Sequence, residues 1–433
     1  MRILYNIAIT LYALAVRIAA IFNSKAKLLS AGWRNWRGKV PFEKLDGKVA
    51  WFHASSLGEF EQARPVIETF RSQHPDYKVC LTFFSPSGYE IRKNYSAADV
   101  VLYLPPDTRR NARNLVKLMH PDIAFFVKYD FWFNYLNVLD NNNIPTYIFS
   151  AIFRPNQYFF RWYGRWFARQ LHCYSHIFVQ NSESLELLHS VGINDVSVAG
   201  DTRYDRVVDI AKAAQPIDPI ELFLTLSSSG TPTSPRAAKH SNNPKVLVAG
   251  SSWEPDERNI KAFIDNYNQP IKLILAPHVI DESHLAAIEK LFGKDNCLRF
   301  SALKQSSNQS FKHSSIPSIL IIDNIGMLSS IYQYATVAYI GGGFGKGIHN
   351  ILEATAYGIP VCFGPNYMKF KEARDMIDFG CAKSYSSPDQ LQSILANWLD
   401  NPSDYSKACQ ICHQAMAAHG GSTNIILNTC KYE

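Results

Sequence analysis

The chain has 433 residues, 47% of them hydrophobic, enough for two ordinary domains with separate cores. Its formal charge of +7 and pI of about 8.8 are mild, and no basic helix, zinc finger or aromatic RNA-binding signature accompanies them, so nucleic acid is not an expected partner. Eight scattered cysteines with a single CxxC (Cys409, Cys412) read as reduced cytosolic thiols, which argues against a disulfide framework or a metal site.

The first element is the apolar run Ile3 to Phe22, ILYNIAITLYALAVRIAAIF, long enough to cross a bilayer and without the small-residue cleavage site of a removed signal peptide. On a helix, Asn6, Thr10 and Arg17 share one narrow stripe with Arg2, which fits either a spanning helix with one polar edge or a helix lying in the interface. The excess of cations that follows (Lys25, Lys27, Arg34, Arg37, Lys39) favours anionic headgroups and a cytoplasmic location for the rest of the chain. Further on, Gln157 to Trp166 (QYFFRWYGRW) alternates arginine with aromatic residues, a mixture equally at home at a membrane surface and in a partly buried helix.

Short runs rich in aromatic and β-branched residues then recur between helix-length segments: Lys48–His53, Val79–Phe83, Val100–Leu104, Ile123–Val127, Thr146–Phe149, Ile177–Gln180 and Val196–Ala199. Ser227 to Asn243, SSSGTPTSPRAAKHSNN, is too polar to build a core and reads as a flexible insertion near a domain boundary. The rhythm restarts with Lys245–Ala249, Ile271–Ala276, Ile319–Ile322, Val337–Ile340 and Pro360–Phe363, with Ser301–Ser315 as a second polar loop. Strands alternating with helices predict parallel, doubly wound sheets, with a ligand cleft between the two halves and sites at the carboxyl ends of the strands.

Two segments point to chemistry. In Trp51–Glu59, WFHASSLGE, an apolar strand enters a small-residue turn that ends in Glu59; the carboxylate is either a catalytic base or an acid that merely complements the start of a helix. In Ala338–Pro365, AYIGGGFGKGIHNILEATAYGIPVCFGP, a strand runs into a five-glycine loop, and a helix is expected to start near His349 or Asn350. Glycines let the backbone approach a phosphate, and Glu353 on the first turn suits a ribose diol. No GxGxxG register fits, and Lys346 is followed by glycine, so neither a dinucleotide fingerprint nor a Walker loop is present.

With HASSLGE, TFFSPSGYE, YLPPD, YDFW, FVQNSES, GDTRYD, APH and GGGFGKGIHNILEATAYGIPV in this order, nearly the whole chain resembles the 3-deoxy-D-manno-octulosonic acid (Kdo) transferases of lipid A biosynthesis. The resemblance implies a GT-B fold, two Rossmann-like doubly wound domains facing across a cleft, behind an N-terminal membrane-anchoring helix. It implies an anchor over 1–24, an acceptor domain over 25–210, a linker over 211–244 and a CMP-sugar-binding domain over 245–433. It makes Glu59 the general base of an inverting transfer of Kdo from CMP-Kdo to a lipid A precursor, at the cytoplasmic face of the inner membrane. The donor would contact Pro277, His278, Ile325, Gly326, Met327, Asn350, Ile351, Leu352 and Glu353, mostly through backbone groups, with neither cofactor nor metal.

Two positions depart from the family pattern. Lys128 stands where a glutamate is usual, with Asp130 matching the second acid, and Arg203 replaces a lysine. All three are candidates for stabilising developing charge. Lys128 reverses the sign at its position, which leaves pairing with Asp130, pairing with a lipid phosphate, or simple solvation. The rival functions are a UDP-sugar-dependent enzyme of the same fold and a non-catalytic lipid-A-binding membrane protein.

Overall fold

The computed structural model describes residues 1–225, 244–305 and 317–432. They divide into two compact units, residues 1–206 with 419–433, and residues 207–418.

The first unit is built on seven parallel strands: β1 (Lys48–Ala54), β2 (Tyr77–Phe83), β3 (Val100–Tyr103), β4 (Ile123–Val127), β5 (Thr146–Ala151), β6 (His176–Val179) and β7 (Val196–Val198), in the order β3-β2-β1-β4-β5-β6-β7. Helices cover both faces, so after Lys48 every residue of β1 is buried. Val49 and Trp51 join one apolar cluster, while Ala50, Phe52 and Ala54 join the other. Phe52 stacks on Phe125 of the neighbouring strand with ring centroids 4.6 Å apart, which locks the register at the centre of the sheet.

The second unit repeats the plan with β8 (Lys245–Ser252), β9 (Ile271–Pro277), β10 (Cys297–Arg299), β11 (Ile319–Ile321), β12 (Val337–Ile340), β13 (Val361–Phe363) and β14 (Ala382–Ser384), ordered β10-β11-β9-β8-β12-β13-β14 and again parallel. In the first sheet the chain winds outward one way and then returns to wind the other way; in the second, β11 first comes back between β10 and β9 before the chain crosses to β12. The reversal lies between β1 and β4 in the first unit and between β8 and β12 in the second. Ligands of such sheets bind outside the strand ends at these reversals.

Three boundaries differ from the sequence-based expectation. The last helix, Ser422–Thr429, leaves the C-terminal unit and packs on the first: Ile426, Leu427 and Cys430 complete the cluster around Phe70, and the backbone N–H groups of Gly421 and Thr423 donate to Asp205 at 2.6 Å each. A carboxylate at a helix N-terminus satisfies donors that have no partner within the helix. Within the expected linker over 211–244, the helix Asp218–Thr225 buries Ile220 and Phe223 completely, so that segment is core of the second unit; residues 226–243, including the whole polar insertion, lie outside the described residues. The polar loop Ser301–Ser315 begins as the helix Phe300–Gln305, and its remainder also lies outside them.

At the N-terminus the helix Arg2–Ala19 is long and apolar enough to cross a membrane by length and composition, and little of it is buried. A second helix, Ser24–Trp33, follows it and lies on β3: Trp33 donates to the Leu104 carbonyl at 2.9 Å, and Gly32 presses so closely on the Tyr103 ring that a Cβ there would sit 2.3 Å from it.

Candidate active site

Glu59 lies at the reversal of the first sheet. β1 ends at Ala54, Ser55 and Ser56 turn the chain, and the helix Leu57–Gln73 starts with Ser56 as its N-cap. The spacing Ser-x-x-Glu is that of a capping box, in which each side chain would bond the other residue's backbone N–H. That exchange is not made: the Ser56 side chain makes no cap hydrogen bond, and its hydroxyl donates to the Glu59 carboxylate instead. The carboxylate is half-buried, and a Cβ on the exposed Gly58 beside it would meet only Ser56 Oγ, at 3.7 Å. Packing therefore does not demand the glycine, which leaves the approach to the helix start open.

Beneath this carboxylate is a buried polar cluster. The Ser55 hydroxyl donates to Asp130, and the Ser55 N–H donates to the same carboxyl at 3.2 Å. Asp130 is 5% exposed, and burial, reinforced by the charge of Glu59, pushes it up to about 8 against the hydrogen bonds from Ser55. His53, fully buried, receives the Trp132 indole N–H on Nε2 at 2.9 Å. Its Nδ1 therefore carries the proton and donates to Thr82 Oγ1 at 2.7 Å. Burial lowers His53 to about 3, so the ring is neutral and its 3.8 Å approach to Asp130 is not an ion pair. Thr82 also accepts from Trp51 at 2.9 Å, which ties β1 to β2 below the site.

Lys128 and Asp130 follow β4, on the other side of the reversal. They are not paired with each other: the Asp130 carboxyl faces Ser55, and the Lys128 ammonium lies over the Tyr129 ring, 5.5 Å from its centroid. Lys128 has φ +61°, in the left-handed region that a lysine seldom adopts. Arg203 starts the helix after β7 and grips Asp201 through Nε at 3.0 Å and Nη2 at 2.7 Å. Burial pushes Asp201 up, but the Arg203 charge and its hydrogen bonds prevail and hold the carboxyl below its ordinary value. Gln62, one turn after Glu59, donates to Asp201 at 3.0 Å, and its carbonyl accepts from Thr202 at 2.6 Å. Arg203 is thus fixed to the same helix that carries Glu59.

The reversal of the second sheet is lined by backbone. Gly341 follows β12 so closely against β8 that a Cβ would sit 2.2 Å from the Ser251 carbonyl oxygen, and a Cβ on Gly343 would sit 2.6 Å from the Gly364 backbone. The Gly342 N–H donates to Asp256 at 2.9 Å, and that buried carboxylate also accepts from Tyr339 at 2.7 Å and from the Trp253 N–H at 3.0 Å. Asp256 thereby fastens the glycine loop to the helix Glu254–Asn266.

Around this loop His278 follows Pro277 at the end of β9, its N–H bonded to the Ser252 carbonyl at 2.9 Å. Its ring stacks between Trp253 (4.7 Å) and His349 (4.4 Å), forming an aromatic shelf. The helix expected near His349 begins later and is one turn long, Leu352–Thr355, because Asn350 accepts the Leu352 N–H on its side chain (3.2 Å) before the helix starts. Ile351 and Leu352 point into the core, and Glu353 accepts from Asn350 Nδ2 at 2.9 Å. Ile325, Gly326 and Met327 form an exposed turn before the short helix Leu328–Ile331, with Ile325 86% exposed and Gly326 at φ +95°. Sequence reasoning missed His53, Trp132, Asp256, Trp253 and His349; of these, His53, Trp132 and His349 stood inside quoted motifs, while Asp256 and Trp253 act through partners distant in sequence.

A family model described as "3-Deoxy-D-manno-octulosonic-acid transferase (kdotransferase)" matches residues 31–206. The chain is 25% identical over 344 residues to the 3-deoxy-D-manno-octulosonic acid transferase of Rickettsia felis, covering 76% of this chain and 67% of that one. It is 21% identical over 390 residues to the namesake of Haemophilus influenzae, covering 88% and 86%. Among solved structures it is similar to the UDP-GlcNAc 2-epimerase of Neisseria meningitidis (TM-score 0.59, 16% identity, 88% of this chain and 99% of that one) and to MurG of Acinetobacter baumannii (TM-score 0.54, 11% identity, 88% and 98%). These two likenesses show the fold, the paired doubly wound units of the GT-B class. The likeness to the 3-deoxy-D-manno-octulosonic acid transferases thus rests on the family match over residues 31–206 and on relatives similar to the chain over most of its length.

Proposed function

We propose that the protein transfers Kdo from CMP-Kdo to a sugar hydroxyl of a lipid A precursor, with inversion and with Glu59 as general base, at the cytoplasmic face of the inner membrane. The observation that carries this reading is Glu59 itself: a half-buried carboxylate at the reversal of a doubly wound sheet, not consumed by capping and with an open approach. The acceptor oxygen attacks the anomeric carbon of Kdo, its proton passes to Glu59, and the bond from that carbon to the phosphate oxygen breaks to release CMP. A general base of this kind contributes about 10²–10⁴ in rate.

On this reading Asp130, being buried, holds Ser55 and the β1 turn in place rather than touching substrate, and Arg203 supplies positive charge next to the base. The glycine loop and the amides around Asn350–Glu353 receive the cytidylyl phosphate, Glu353 takes the ribose hydroxyls, and the Trp253–His278–His349 shelf takes the base. The purified protein, incubated with CMP-Kdo and a tetra-acylated lipid A precursor, should yield a product heavier by one or more Kdo units in mass spectra. CMP should raise its melting temperature and UDP should not; the opposite ranking, without product, would move the protein to the UDP-sugar enzymes of the same fold.

A further inference from the structure

The N-terminal helix Arg2–Ala19 has two apolar sides, and only one is covered. Along its inner side the Tyr5 hydroxyl donates to Asp107 at 2.6 Å, and Asn6 Oδ1 accepts from Asn134 at 2.9 Å. The Tyr5 ring packs against Phe133 (5.1 Å) and Trp166 (6.1 Å), Tyr12 packs against Phe84 (6.0 Å) and Trp33 (6.4 Å), and Val16 is buried with Leu29, Trp33 and Tyr103. These contacts extend from residue 5 to residue 16, about 16 Å along the helix axis. A bilayer has a hydrocarbon core about 30 Å thick, so a helix that crossed it would have to leave this seat and expose the buried Asp107 carboxyl.

On the outer side Ile3, Leu4, Ile7, Leu11, Leu14 and Ile18 form one continuous exposed stripe, prolonged by Ile21 and Phe22 just beyond the helix. Along the flanking sequence the charge has a single sign: Arg2, Arg17, Lys25, Lys27, Arg34, Arg37 and Lys39 precede Glu43, the first acid in the chain. Trp166, in contact with Tyr5, belongs to a second segment of the same character. There Trp162 is 89% exposed, Tyr163 is exposed, and Arg154, Arg161, Arg165 and Arg169 occur with no acid between Asp140 and Glu183.

We propose that the helix does not span the membrane but lies along it, seated on the first unit, with the Ile3–Ile18 stripe in the acyl boundary of an anionic leaflet and the Trp162 segment as a second foothold. Apolar side chains enter the acyl region while the surrounding cations meet lipid phosphates. Two adjoining footholds exceed what a single apolar stripe holds reversibly. The inference rests on the membrane part of the proposed function and not on its sugar chemistry.

The test uses the full-length protein and vesicles of phosphatidylcholine with or without phosphatidylglycerol. Cosedimentation should fall by about tenfold or more when the anionic lipid is omitted. The double variant Leu11→Glu/Leu14→Glu should lose binding by a similar factor, about tenfold or more, at an unchanged melting temperature, because the stripe is already exposed. Leu14→Ser, a milder change on the same stripe, should show a smaller loss and replaces the pair if the pair does not fold. In inverted membrane vesicles an N-terminal epitope tag should be digested by added protease. A protected tag would mean that the helix spans, and vesicle binding untouched by the stripe variants would mean that the stripe is not the foothold. A dimer that the stripe variants split, without vesicle binding, would assign the stripe to a second copy of the chain; each of these results overturns the proposal. Transfer to a detergent-dispersed acceptor is read separately, so a failure of the sugar-transfer reading appears there and not in vesicle binding.

Discussion

Both sheets are parallel and doubly wound, the second with β11 inserted between β10 and β9, and they differ in what they place at their reversals. The first presents ionisable side chains: Glu59 half-exposed, with Asp130 and His53 buried beneath it. The second presents main chain, a glycine loop packed too closely for any Cβ at Gly341, with its nearest carboxylate, Asp256, engaged in holding that loop. A doubly wound unit offers the same location to either purpose. Side chains that exchange protons suit chemistry, whereas fixed amides and an aromatic shelf suit binding of a charged nucleotide.

Substitutions at each reversal test this division. The largest effect is expected at Glu59: Glu59→Gln should lower the transfer rate about 10²–10⁴-fold while leaving donor affinity alone. At the second reversal the pattern should invert. Gly341→Ala forces the loop off the Ser251 carbonyl, at a cost of about 1–3 kcal/mol in denaturant unfolding, and should weaken CMP binding measured by calorimetry, the N-terminal cluster staying intact. Asp256→Ala removes a buried acceptor from three donors and should destabilise by about 3 kcal/mol, with the loop's nucleotide affinity falling too.

A subtler difference concerns pH. Asp130 rises from its ordinary 3.8 to about 8, so the folded state holds a proton there that the unfolded chain releases, and stability falls as pH climbs through this range. His53 is lowered from 6.5 to about 3, so the unfolded chain takes up a proton that the folded state refuses, and stability rises with pH. The two contributions cancel between about pH 4 and 6.5. Above that only Asp130 acts, and the cluster should lose about 2 kcal/mol by pH 8, a slope that Asp130→Asn should flatten in urea titrations. The smallest effect is at Lys128, where glycine should relieve the left-handed backbone and change stability by no more than about 1 kcal/mol.

Much of this architecture could be read from the chain, because buried parallel strands are continuous apolar runs. Twelve of the fourteen strands among the described residues were expected within a few residues; β10 (Cys-Leu-Arg) and β14 (Ala-Lys-Ser) are three residues long, sit at sheet edges and carry no apolar run. The return of Ser422–Thr429 to the first unit was hidden, since it depends on Asp205 more than two hundred residues earlier. Glu59 stood out because a small-residue turn isolates it. Of the cluster beneath it Asp130 was legible, but His53 was not, because it acquires its tautomer from Trp132 and Thr82, partners 79 and 29 residues away.

The most direct test of the division between chemistry and binding measures CMP-Kdo binding and Kdo transfer on one preparation of Glu59→Gln. Donor affinity within about twofold of native, with transfer reduced about a hundredfold or more, is the predicted result. Transfer at the native rate, or loss of donor binding together with transfer, would contradict it.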